Sequence, residues 1–143
     1  MSKGNTFEND ILGLILRGSA IANIADNAAA AALTVLYVSL HTLDPGETGD
    51  QTTNEVSATG YARASIARTT GGWGAPANGS CSPAAAITFG ALSSGASSAG
   101  FFAIGTAASG AGKILYKGSV TPPIPIQNGV TPSLSTATTI TED

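Results

Sequence analysis

The chain has 143 residues and a net charge of −3, with 10% charged residues against 43% hydrophobic ones. That is enough length for one domain with a real core, and it leaves no basic stripe or aromatic–basic interleaving for nucleic acid. A single cysteine, Cys81, excludes an internal disulfide, and a surface this poor in charge suits a protein partly covered by partners.

The N-terminal stretch MSKGNTFENDILGLILRG does not follow a signal-peptide pattern. Glu8 and Asp10 precede an apolar run, Ile11–Leu16, that is too short. Arg17, Asn23 and Asp26 interrupt any stretch that could reach the ~20 apolar residues of a membrane span. The expectation is a soluble protein made in a cytoplasm. Residues 5 to 17 carry the helical signal. Asn5 can cap, and Glu8 three positions on can reach back to it. Phe7, Ile11, Leu14 and Ile15 share a face that Leu12 and Leu16 widen. Gly18 supplies a stop. A short turn around Ala20–Ala25 and an alanine run follow.

From Leu33 the period changes to two. Leu36, Val38 and Leu40 alternate with Tyr37, Ser39 and His41. Weaker alternation over Tyr61–Arg68 places Ala62, Ala64 and Ile66 on one side. Ile87 and Phe89 mark another strand. Phe101–Ile104 and Ile114–Val120 flank a glycine-rich run and read as two strands with their connection. The tail Ser133–Thr141 is rich in β-branched residues, which favour strands. The clusters DPGETGD, TTGGWGAPANGS, ALSSGASSAG and TPPIPIQNGVTP are turns. Prolines exclude Thr121–Pro125 from a central strand, so it is an edge or crossover segment. The expected fold is mainly β, an antiparallel sandwich or barrel with one short N-terminal α-helix. The expected organisation is an arm and helix over 1–32 and a β-domain over 33–143.

Three places in the chain carry residues that chemistry could use. The run GTAASGAGKI, Gly105–Ile114, has the look of a phosphate loop. A P-loop needs a glycine at position 107 and a hydroxyl residue at 114, where the chain has Ala107 and Ile114. His41 is followed by Asp44, Glu47, Asp50 and Glu55, but the spacing is not that of an EF-hand and no second His or Cys partner supports zinc. Cys81 has no local nucleophile signature, and no G-x-S-x-G elbow occurs. The sequence therefore points to no catalytic, cofactor or metal residues, and to no enzyme, small-molecule substrate, nucleic acid or membrane.

The L-Y-V-x-L strand at Leu36, followed by D-P-G-E-x-G at Asp44, T-G-Y-A-R at Thr59 and G-T-A-A-S-G-A-G-K at Gly105, resembles a family of small virion proteins of tailed bacteriophages. The opening NTFENDILGLILRG and the closing NGVTPSLSTATTITED resemble the same family, so the likeness spans most of the chain. The segment after Trp73, GAPANGSCSP, departs from it, having few β-branched residues. Members carry labels ranging from tail or tail-fibre protein to capsid cement or decoration protein.

Within that group the chain resembles the cement proteins on the heads of short-tailed phages. That resemblance implies a jelly-roll-like β-sandwich on the outer capsid surface of the virion. It further implies a homo-oligomer, dimer or trimer, that binds the major capsid protein, clamps its neighbouring copies and stabilises the head. The alternative is a tail or tail-fibre component; a carbohydrate-binding tip would have to use Trp73 and Tyr61. A clamp needs area, and arms that reach across joints supply it. The candidate partner contacts are Phe7, Ile11 and Leu14 on the helix, and Pro122, Pro123, Pro125 and Pro132 in the proline-rich segment, with the Met1–Asn5 arm.

Overall fold

A computed structural model describes residues 5–21 and 33–142. The Met1–Asn5 arm (Asn5's backbone apart), the side-chain cap expected at Asn5, and most of the Ala20–Ala25 turn with its alanine run lie outside the described residues. The fold is mainly antiparallel β with one short helix, consistent with the expected sandwich class. The chain divides into two compact units, one of residues 1–35, 67–86 and 134–143, the other of 36–66 and 87–133.

The first unit contains the helix α1, Asn5–Arg17. Leu12 and Leu16, one turn apart, are fully buried, while Phe7 is 43% exposed and Ile11 and Leu14 are half-buried. The apolar face is thus centred on the two leucines that were expected only to widen it. Gly18 takes a left-handed φ of 68° directly after the helix, and the Ser19 N–H closes on Gly13 O at 3.0 Å. The last carbonyls of a helix have no partners within it. Here the Arg68 guanidinium takes them, with Nε donating to Ile15 O at 2.6 Å and Nη2 to Leu14 O. The helix packs on β3, Ser80–Cys81, which pairs antiparallel with β8, Ile140–Thr141. Asn78 and Gly79 both have positive φ, and Ala77 and Ser80 exchange two backbone hydrogen bonds across them. This is the two-residue Asn-Gly hairpin turn. Trp73 is fully buried in this unit.

The second unit carries most of the four-stranded sheet, in the order β2-β1-β5-β6. The strands are β1 Val35–His41, β2 Ala64–Ala67, β5 Ala96–Gly105 and β6 Ile114–Gln127. β1 runs antiparallel to β5 with Val38 opposite Ile104, and β5 runs antiparallel to β6 with Phe102 opposite Gly118. The connection 106–113 is therefore a hairpin loop, as the flanking alternation indicated. β6 lies at the sheet edge, where its prolines are tolerated. Residues 120–123, including Pro122 and Pro123, bulge between the paired positions Ser119 and Ile124. The short strands β4, Ile87–Thr88, and β7, Ser133–Leu134, form a further pair.

Several expectations change. β5 begins at Ala96 and β6 runs through Gln127, so parts of the ALSSGASSAG and TPPIPIQNGVTP clusters read as turns are paired strand. β2 covers only Ala64–Ala67, because Tyr61 and Arg63 are drawn into side-chain bonds elsewhere. The tail is not one strand: Thr138 N–H bonds Ser135 O at 3.0 Å and Ala137 N–H bonds Ser135 Oγ at 3.2 Å, a serine turn that separates β7 from β8.

Candidate functional site

β1 lies inside the sheet with a strand on each edge, and it is also covered on both faces. Leu36, Val38 and Leu40 are buried, and so, on the opposite face, are Ser39 and His41, both fully. The polar side of this strand looks inward because the loop that carries Gln51 and Thr53 folds over it, and β5 offers it small residues, Ala103 opposite Ser39 and Gly105 opposite Tyr37. Buried polar groups need partners, and two loops supply them.

The first loop leaves β1 after His41 and returns at Glu55, which bridges back to His41. Gln51 from this loop is fully buried. Its Nε2 donates to Tyr37 O at 3.1 Å, its Oε1 accepts from Ala107 N–H at 3.1 Å, and its own N–H donates to Gly112 O at 2.9 Å. A Cβ on Gly105 would lie 2.2 Å from Gln51 Cδ, and one on Gly112 would lie 2.2 Å from Gln51 Oε1. The glycine-rich run that resembled a phosphate cradle is a cradle for the Gln51 amide. Lys113 is exposed beside it, and its N–H bonds Thr106 Oγ1 at 3.1 Å.

Arg63 makes the second tie. Its Nε and Nη2 hold Glu55 in a fork, at 2.7 and 2.8 Å, while Nη1 and Nη2 donate to Ala107 O and Gly110 O, each at 2.9 Å. Such a fork matches a carboxylate in a way lysine cannot. Glu55 holds the Arg63 charge more firmly than usual, raising its pKa. Tyr61 completes the arrangement: its hydroxyl donates to Glu55 Oε1 at 3.2 Å and accepts Leu40 N–H at 2.9 Å, and its ring stacks on Phe89 with centroids 6.1 Å apart. Burial raises the phenol pKa well above its ordinary value.

His41 sits at the neck of the first loop. Its Nδ1 lies 2.8 Å from Thr53 O, which can only accept, so Nδ1 carries the proton. Nε2 is then the acceptor for the Ser39 hydroxyl at 2.9 Å. Burial lowers the His41 pKa, against the opposing pull of the Thr53 carbonyl and Glu55. This pair has the spacing of a serine–histidine dyad. Both side chains are fully buried, and the third position is a backbone carbonyl rather than a carboxylate.

The acids beside the loop have separate partners. Asp44 Oδ1 accepts Gly46 N–H at 2.8 Å, the turn that Pro45 and Gly46 announced. Lys117 on β6 bonds Asp44 at 3.1 Å and Glu47 at 3.1 Å. Asp50 accepts the Thr52 hydroxyl at 2.6 Å and the Thr52 N–H at 2.7 Å. The Gly46 N–H, then Lys117, holds the Asp44 pKa below its ordinary value, and Thr52 does the same for Asp50. Among the described residues no group of three or more His, Cys, Asp or Glu is placed to hold a metal.

The expected contact residues do not gather here. Phe7, Ile11 and Leu14 are in the first unit. Pro122, Pro123 and Pro125 are exposed on edge strand β6, whereas Pro132 is fully buried. Pro132 therefore presents no surface to a partner, and its carbonyl accepts Phe89 N–H at 2.9 Å inside the unit. Trp73, fully buried, offers no platform for a sugar, and Tyr61 is committed to Glu55, Leu40 and Phe89.

Three of the four motifs that carried the family resemblance thus converge on one network: the L-Y-V-x-L strand through Ser39 and Tyr37, T-G-Y-A-R through Tyr61 and Arg63, and the glycine run through Gly105, Ala107 and Gly112. Residues 2–141 match the family described as podophage GP4 fiber I protein gp80. The chain belongs to that family. It is accordingly a structural protein of the short-tailed phage class. No curated protein matches the chain. Gln51 and the buried Ser39–His41 pair were not singled out as a site in the sequence. The signal that could have found Gln51 is the glycine run itself, since glycines without a ligand motif mark a close approach by something else.

Proposed function

We propose that the protein is a non-catalytic structural component of the virion fibre or tail of a short-tailed phage, acting as a homo-oligomer. The observation that carries this reading is the family match across residues 2–141, whose description names a fibre protein. That description points away from the head, so docking on the major capsid protein is the less favoured placement.

The geometry supports a structural role by the way polar groups are used. The glycine run encloses Gln51, the serine–histidine pair is sealed, and Arg63 is bound on every side. These bonds fix two surface loops to the four-stranded sheet. A rigid loop surface binds a neighbouring subunit without the entropy cost of ordering it first. Outside those loops, the exposed contact candidates are Phe7 on α1 and Pro122, Pro123 and Pro125 on β6. Replacing Pro122, Pro123 and Pro125 together by serine, with Phe7→Ser in a second variant, tests them. Loss of incorporation into virions with unchanged unfolding stability supports a contact; unchanged incorporation by both variants refutes these residues as the interface.

A further inference from the structure

We infer that His41 is a proton-operated fastener: protonation of its ring frees the loop between His41 and Glu55 while the β1–β5 sheet stays intact. The inference rests on the loop geometry and is independent of where in the virion the protein resides.

The loop is held at both ends. Thr42 N–H bonds Asn54 O at 2.9 Å, Val56 N–H bonds Leu40 O at 2.9 Å, and Gln51 N–H bonds Gly112 O at 2.9 Å. The His41 side chain crosses the neck from β1 to Thr53 O on the returning arm, and the Thr42 hydroxyl crosses beside it to Asn54 O at 3.2 Å. The other ring nitrogen of His41 works only as an acceptor, for Ser39. Adding a proton makes that nitrogen a donor. Ser39 Oγ must then release its own bond and turn its hydrogen to Ala103 O, which is 3.4 Å away. The protonated ring would then donate to Ser39 Oγ, whose other lone pair faces Gln51 Nε2 at 3.4 Å, so the short bond to the neutral ring is exchanged for the longer Ser39–Ala103 one.

The new positive charge also lacks a free counter-ion. The charges that act on the ring are Glu55, Arg63 and Asp44. Both Glu55 oxygens are occupied by Arg63, and Asp44 is occupied by Gly46 and Lys117. β5 contributes Phe101 and Ala103, which are uncharged, and Gln51 and Tyr61 are neutral. A buried imidazolium without a free counter-ion is relieved by reaching water. The ring is attached to the neck of the loop, so its exit breaks the Thr53 bond and releases the returning arm.

The test is amide hydrogen exchange on the full chain between about pH 8 and about pH 5, expressed as protection so that intrinsic exchange is removed. Protection at Thr42, Gln51 and Val56 should fall below the pH at which the closed ring begins to resist its proton. The fall should approach tenfold per pH unit, the limit for one linked proton. The β1–β5 amides should keep their protection. The chain has one histidine, so its ring resonance reports the titration without ambiguity, and its midpoint should coincide with loop release. In His41→Gln, which cannot titrate, the pH dependence should vanish. If that variant does not fold, Ser39→Ala serves: it removes a bond that favours the neutral ring, so ring titration and loop release should move together to higher pH. Loop protection that ignores pH, that falls equally in His41→Gln, or that falls only together with the sheet overturns the inference.

Discussion

Replacing Arg63 by methionine keeps the apolar stem and removes the guanidinium. The wild-type group donates four hydrogen bonds, two to Glu55 and one each to Ala107 O and Gly110 O. The variant strands the Glu55 carboxylate and leaves two loop carbonyls short of a donor. Breaking a buried pair by removing one partner costs about 3–5 kcal/mol. Arg63's side chain is 2% exposed but Glu55's is 18%, so water can partly resolvate the stranded carboxylate. The expected loss is therefore near the lower end, about 3 kcal/mol. For a chain of this size that corresponds to a fall in Tm of roughly 6–12 °C. Arg63→Lys should recover only part of it, because one ammonium cannot fork a carboxylate and reach two carbonyls. Arg63→Met combined with Glu55→Leu should lose less than Arg63→Met alone, since the stranded charge is gone. Equilibrium unfolding in urea measures all three. A loss below about 1 kcal/mol for Arg63→Met, the range of exposed ion pairs, refutes the claim that this pair locks the loops. Strict additivity in the double variant refutes it equally.

The remaining predictions address the same network. Gly112→Ala should destabilise by about 1–3 kcal/mol through overpacking against Gln51 Oε1 and Ala107, and Gln51→Ala in the same chain should relieve part of that. Lys113→Ala should change stability by less than about 0.5 kcal/mol and should remove no nucleotide binding; a specific ATP or GTP affinity lost with this lysine would revive the phosphate reading. Stability should be highest above the ordinary histidine pKa and should decline as pH falls below it. His41's folded pKa is depressed by burial, so the unfolded chain takes up the proton first, with a slope of at most about 1.4 kcal/mol per pH unit. An unfolding free energy that rises on acidification from neutral pH contradicts the neutral, buried ring.

The sequence showed the sheet more clearly than the network inside it. Leu36, Val38 and Leu40 mark β1, and the alternations around Phe102 and Tyr116 mark the β5–β6 hairpin, because a strand's apolar period survives any tertiary context. The prolines after Thr121 left an edge or a crossover segment open, and the structure puts them on edge strand β6. The burial of Ser39 and His41 was not legible. Alternation assigns the polar side to solvent, and only the loop that carries Gln51 and Thr53, folded over that face, turns it inward. Gln51 and Arg63 carry no signal at their own positions, since the loop groups they bind, Ala107 and Gly110 among them, lie far along the chain, and only the glycine run hints at the approach of Gln51. The Asn78-Gly79 turn, by contrast, was present as a dipeptide signal inside a segment read only as a glycine-rich cluster. In the helix the periodicity was right but its centre was misplaced: Leu12 and Leu16 form the buried line, which leaves Phe7 exposed.

The placement of this protein in the virion is tested most directly by counting its copies in purified particles and locating it with a site-specific gold label on an exposed position such as Lys113. A fibre or tail component should give a few copies to dozens per particle, with label confined to the tail end. Hundreds of copies in proportion to the major capsid protein, with label over the head, would contradict the fibre reading and restore the cement one.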